Sequence, residues 1–94
     1  MLDRADRVIP HAEVVVTELD GDEAVLLHLD TKQYFSLNAT GYFIWKQLGS
    51  ERRLGDVAEA LCTHYDVSPE QAETSVLTLV EQLYNEHLVS RADD

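Results

Sequence analysis

Basic residues, cysteine and long apolar runs are what this chain has least of. Over 94 residues it sets 7 lysines and arginines against 18 aspartates and glutamates, a formal net charge of −11. Residues 54–90 contain no lysine or arginine, yet Asp56, Glu59, Asp66, Glu70, Glu73, Glu81 and Glu86 all fall there. Such a half-chain repels phosphates and anionic headgroups, which argues against nucleic acid and membrane surfaces as partners. The single cysteine, Cys62, can neither close an internal disulfide nor build a metal cluster alone. No apolar run approaches the ~20 residues that span a bilayer, and no signal peptide is recognisable at the start. The expected compartment is the cytoplasm.

Signatures of chemistry are equally scarce. His11, His28, His64 and His87 share no i+4 pairing and have no cysteine pair nearby, so no metal is expected. No glycine-rich phosphate cradle and no nucleophile elbow occurs, and the many carboxylates sit on predicted solvent faces. The chain reads as a non-enzyme without a cofactor. Cys62 lies on a core stripe, with none of the positive neighbours that make a thiol reactive.

What is present is a short α+β pattern of one domain. Residues 1–7 mix charges without period and read as a flexible arm; residues 8–94 form the domain. A strand is expected from Val8 to Leu19, followed by Asp20-Gly21-Asp22, a turn signal of the hairpin kind. Glu23 to Leu29 is a second strand with two fairly apolar faces. Asp30-Thr31-Lys32 turns into a third strand, Gln33 to Leu37, completing a three-stranded antiparallel meander. Three helices follow. The first, Ala39 to Leu48, starts from Asn38, whose side chain can accept from free amides, and stops at Gly49, which suits a left-handed cap. Gly41, Ile44, Trp45 and Leu48 share one face, with Trp45 as a core anchor. Phe43 leaves that stripe, and packing against the N-terminal strand is its expected role.

Ser50 to Arg53 is a polar connector. The second helix, Leu54 to Tyr65, carries Leu54, Val57, Ala58, Leu61, Cys62 and Tyr65 on one stripe, but Arg53 is a poor cap. The third opens with Ser68-Pro69-Glu70-Gln71, a capping box with proline at the first helical position. Its apolar positions, Ala72, Val76, Leu77, Leu79, Val80, Leu83 and Tyr84, form a stripe wider than one packing contact requires. Leu88-Val89 is a short extended exit or wing. Helices flanked by strands give a winged helix-turn-helix-like fold. One function this suggests is a nucleic-acid-binding regulator, disfavoured by Glu70, Glu73, Thr74, Glu81 and Asn85 on the would-be reading helix. Another follows from the third strand: it ends the run of strands, so it is an expected sheet edge with backbone groups that another peptide, or a second copy in a homodimer, can pair.

The pattern Leu29-Asp30, Tyr34-x-x-Leu37-Asn38-x-x-Gly41-x-x-Ile44-Trp45-x-x-Leu48 resembles the PqqD-like family. The likeness runs on through Val57, Ala60, Leu61, Tyr65, Asp66-Val67-Ser68-Pro69-Glu70, Val76, Leu83 and Leu88-Val89, spanning roughly Glu23 to Val89. Where many relatives carry glycine before the final Leu-Val pair, this chain has His87. The resemblance implies a recognition element for ribosomally made, modified peptides, such as those of pyrroloquinoline-quinone and lasso-peptide pathways. It would hold the leader of a precursor peptide as an added strand and present it to a modifying enzyme, a radical-SAM enzyme or a leader peptidase. Carried over, the strand is Tyr34, Phe35, Ser36 and Leu37, and the groove wall is Val76, Leu77, Val80, Leu83 and Tyr84.

Overall fold

The computed structural model describes residues 2–48 and 52–92. In chain order the elements are β1 (Val8–Pro10), β2 (Val14–Glu18), β3 (Ala24–His28), β4 (Tyr34–Leu37), α1 (Ala39–Gln47), α2 (Leu54–Tyr65), α3 (Pro69–Asn85) and β5 (Val89–Arg91). The meander is present as β2-β3-β4, antiparallel throughout, with Val16 opposite Leu26 and Leu26 opposite Phe35. Its first hairpin closes over Asp20–Asp22, a single 3-10 turn in which Gly21 takes φ 79 and Asp22 φ 67. Glycine reaches that left-handed conformation without steric cost.

The expected first strand is two strands. Pro10 ends β1, and β1 leaves the meander to pair antiparallel with β5, Ile9 opposite Ser90. The extended exit at Leu88-Val89 is thus one half of a clasp that joins the two ends of the chain. His11 N–H donates to Leu88 O (2.9 Å) and Ala92 N–H to Arg7 O (2.9 Å). Residues 2–7, expected to be a flexible arm, lie against the helices. Leu2 is 5% exposed. Leu54 N–H donates to Asp6 O and Gly55 N–H to Arg4 O, each at 2.9 Å. These carbonyls occupy the first free amides of α2, which is how a helix with Arg53 at its N-cap is satisfied. Asp56 adds a carboxylate that accepts from Arg53 N–H (3.3 Å). A Cβ on Gly55 would come within 3.1 Å of Arg4 Nε, so the arm sits close because that residue is glycine.

The other helix ends follow local rules. Asn38 Oδ1 accepts from Gly41 N–H (2.8 Å), and Ser68 Oγ from Gln71 N–H (3.2 Å). The left-handed cap expected at Gly49 and the connector residues 50–51 lie outside the described residues. α3 closes with Leu88 N–H on Leu83 O and His87 N–H on Tyr84 O, with His87 itself at φ 61. That is a Schellman closure in which a histidine holds the position usually given to glycine. Leu26, Ile44, Leu54, Leu61, Leu83, Val57, Val76 and Val80 are the largest fully buried side chains, and Trp45 joins them. Phe43 does not reach the N-terminal strand: its ring stacks on His64 (4.5 Å) and meets Tyr65 edge-on (5.7 Å), because the outer side of α1 faces the end of α2.

Candidate functional site

Among the described residues β4 has one hydrogen-bonded neighbour, β3, so its other side is an edge of the sheet. Alternate residues of an antiparallel strand turn both backbone groups toward the same neighbour. His28 N–H donates to Gln33 O (3.0 Å), so Gln33, Phe35 and Leu37 face β3, and the N–H and C=O of Tyr34 and Ser36 point to the open side. Side chains divide the other way. Leu37 is buried and Phe35 is packed against the core, while Tyr34 stands 72% exposed. β2 is the second edge, but Val14 N–H is engaged there by His11 O (3.1 Å).

At the Leu37 end of β4 the chain turns through Asn38 into α1, and a cavity of about 350 Å³ opens between this corner and α3. Asn38, Gly41 and Ile44 line one wall; Ser75, Thr78, Leu79 and Gln82 line the other. Through Thr40, Thr74 and Ser75 it continues into a cavity of about 670 Å³ that reaches Leu61, Tyr65, Val67 and Glu70. The cleft is walled mainly by hydroxyls, amides and apolar carbons, with one carboxylate, Glu70, at its far end. It can seat an extended chain and accept side chains from it. No group of three or more His, Cys, Asp or Glu among the described residues could hold a metal ion.

The family model for coenzyme PQQ synthesis protein D (PqqD) matches residues 23–89. The chain belongs to the PqqD family. No curated protein sequence matches it. Two solved structures share its fold at a TM-score of 0.79. TbiB1 in complex with the TbiA(beta) leader peptide is 34% identical, over 87% of this chain and 94% of that one. A lasso peptide synthetase B1 complexed with the leader peptide is 27% identical, over 89% and 98%.

Within this PqqD-family protein the candidate wall residues of α3 separate by face. Val76, Val80 and Leu83 are wholly buried, forming the floor under the helix rather than its accessible side. Leu77 and Tyr84 lie on the flank away from the cleft. Leu77 shares a hollow with Leu2, and Tyr84 shares one with His11, His28, Asp30 and His87. At 100° per residue, Ser75, Leu79 and Gln82 occupy the opposite flank, the one that meets the β4 corner. Leu79 was legible as part of the apolar stripe; the flank that turns toward β4 is set by how α3 docks, which no local pattern records. The hollow under Tyr84 matters to β4 indirectly. His28 Nδ1 accepts from the N–H groups of Asp30 (3.2 Å) and Thr31 (3.4 Å), shaping the turn that leads into the strand.

Among the described residues, two titratable groups are displaced from their ordinary values. Tyr42 O–H donates to Glu18 Oε1 (2.6 Å), tying α1 to β2, and that carboxylate raises the phenol above its usual value. The Asp6 carboxyl is held below the usual aspartate value by the Asp3 backbone N–H first and then by the Arg91 guanidinium. Neither group borders the cleft; both fasten the frame around it.

Proposed function

We propose that this protein binds the leader segment of a ribosomally made precursor peptide as an added strand on β4 and presents it to a separate modifying enzyme, a radical-SAM enzyme or a leader peptidase. Its own part is that of a non-catalytic accessory, carried by the recognition domain at residues 8–94 and working in the cytoplasm. The observation that carries the reading is the open edge at Tyr34–Leu37 beside the cleft walled by α3. Support comes from family membership and from two leader-bound relatives of the same fold.

The physics of the edge fits. Tyr34 and Ser36 supply outward donors and acceptors for a guest strand, which gives affinity with little regard to sequence. Alternate guest side chains would enter the cleft and supply selectivity. Each apolar side chain buried there contributes about 1.5–3 kcal/mol, so two or three offset the ~2–5 kcal/mol of ordering a flexible leader. Phe35 and Leu37 support the strand from the core side, and Val76, Val80 and Leu83 hold α3 at its distance. Leu77 and Tyr84 border the far flank of α3, in hollows other than the cleft. Pairing of β4 with a second copy is opposed by the like charge of the two chains, −11 each.

The test is an amide-shift titration with the leader of the precursor encoded beside this gene. Shifts concentrated at residues 34–37 and along Ser75, Thr78, Leu79 and Gln82 are expected. Saturable binding that leaves β4 unperturbed would sink the proposal.

A further inference from the structure

Glu70 stands at the far end of the cleft, beyond the reach of strand pairing. It is exposed in the first turn of α3, and among the described residues it has neither an ion-pair nor a hydrogen-bond partner. Glu73, one turn on, faces the other way: it pairs with Arg4 (3.4 Å) and borders a separate hollow beside Cys62. Among the described residues that line the cavity of about 670 Å³, Glu70 alone is charged. Leu61 and Val67 give that cavity apolar walls. Tyr65 adds a ring that is 38% exposed, although Phe43 and His64 pack against it with centroids at 5.7 and 4.7 Å.

An aliphatic wall, an aromatic ring and one carboxylate together suit one kind of side chain. A lysine or arginine lays its methylene stem on apolar carbon, and its charged head meets both the carboxylate and the electron-rich ring. Whatever side chain fills the cavity also takes water away from Glu70. An apolar one leaves that carboxylate without a compensating contact, which is unfavourable; a cation supplies the contact. The chain has no lysine or arginine between residues 54 and 90 to supply it from within.

We propose that this cavity is a subsite for a lysine or arginine of the bound leader, set at a fixed spacing from the strand that pairs with β4. The inference rests on the leader-binding reading above and names a side chain that reading leaves open. The spacing follows from α3. Glu70 and Leu79 are about 13 Å apart along the helix axis at ~1.5 Å per residue. An extended guest rises ~3.3 Å per residue, so the basic residue lies about four positions from the one seated over Leu79. It lies on the side of the guest that continues past Leu37, because the cleft opens at that end of β4. General attraction to an acidic surface would instead act on basic residues anywhere in the leader.

The experiment uses the full-length chain and the synthetic leader of the precursor encoded beside this gene. Each lysine or arginine of the leader is replaced in turn by norleucine, which keeps a stem and loses the charge. Calorimetry then measures binding to wild type, Glu70→Gln and Glu73→Gln. One replacement, at the stated spacing, is expected to weaken binding to wild type about fivefold, the worth of a partly exposed pair with a ring beside it. The same replacement is expected to change binding to Glu70→Gln by less than about twofold, because the two changes remove one contact. Against Glu73→Gln it keeps the wild-type factor, since that substitution removes the same charge from another face. In wild type it also removes the amide shifts that the leader induces at Tyr65, Val67 and Glu70, a readout that needs no protein variant. Equal losses in all three proteins overturn the proposal, and so does a leader with no basic residue at that spacing. Should wild type fail to bind the leader, or bind it without shifts at residues 34–37, this inference and the proposed function fall together; binding on β4 without coupling to Glu70 removes this one alone.

Discussion

Ser36 and Leu37 are neighbours with opposite backbone duties, and that contrast makes a sharp test of strand addition. The Ser36 N–H points to the open side of β4, so Ser36→Pro removes an outward donor and leaves the ladder to β3 intact. Leader affinity is expected to drop about tenfold, the worth of a charge-free donor plus the fit of the proline ring, with the melting temperature little changed. Leu37 faces β3 and is buried, so Leu37→Pro is expected to unfold the sheet, visible as a lost cooperative melt. Leu79 gives a second reading of the site. Its side chain is partly buried on the cleft wall, and Leu79→Glu is expected to weaken leader binding by about 2 kcal/mol in calorimetry, more than Leu77→Glu on the other flank. His87 concerns stability only. At φ 61 a histidine is strained where glycine is not, and His87→Gly is expected to raise unfolding free energy by about 1 kcal/mol in denaturant titration.

α2 depends on a segment outside itself. Its first amides are satisfied by the carbonyls of Arg4 and Asp6, and Leu2 is buried beside α3. Removing residues 1–7 leaves those donors to water and exposes that contact, a loss of about 2–4 kcal/mol in denaturant midpoint measurements. The arm is also tied by Asp6 to Arg91 (2.8 Å), and the sign of its pH response follows. The Asp6 carboxyl is depressed in the folded chain, so its contribution is present above the ordinary value of 3.8 and is lost as pH falls through its lower folded value. The protection factors of residues 2–7 and of Leu54 and Gly55, each taken against the intrinsic exchange rate at that pH, are expected to fall on acidification into that range, and Asp6→Asn to abolish that pH dependence.

Across the whole molecule the dominant fact is a charge of −11 with no cation between residues 54 and 90. α3, the wall of the cleft, belongs to that stretch, and Glu70 ends the larger cavity. Leaders bearing lysine or arginine should therefore associate faster and more tightly, by steering that salt screens within about 8–10 Å. Raising ionic strength from 20 to roughly 500 mM is expected to weaken a basic leader several-fold through its association rate and a neutral one hardly at all. Stopped-flow measurements with both leaders distinguish the outcomes.

How far the chain could be read in advance depended on how far apart the interacting residues lie. Asn38 and Ser68 cap their helices through bonds to residues three positions on, so those starts were visible in local spacing, as was the alternation of β3 and β4. The family pattern is local in the same sense, and with it came the sheet edge at Tyr34–Leu37. Three features were not legible: the departure of Val8–Pro10 to pair with Val89–Arg91, the capping of α2 by the arm, and the flank of α3 that meets the cleft. Each joins residues distant in sequence, and each is selected by the docking of whole elements around a shared core. A hydrophobic stripe says that a helix has an inside; only its neighbours in space settle which of the two borders of that stripe lines the cleft.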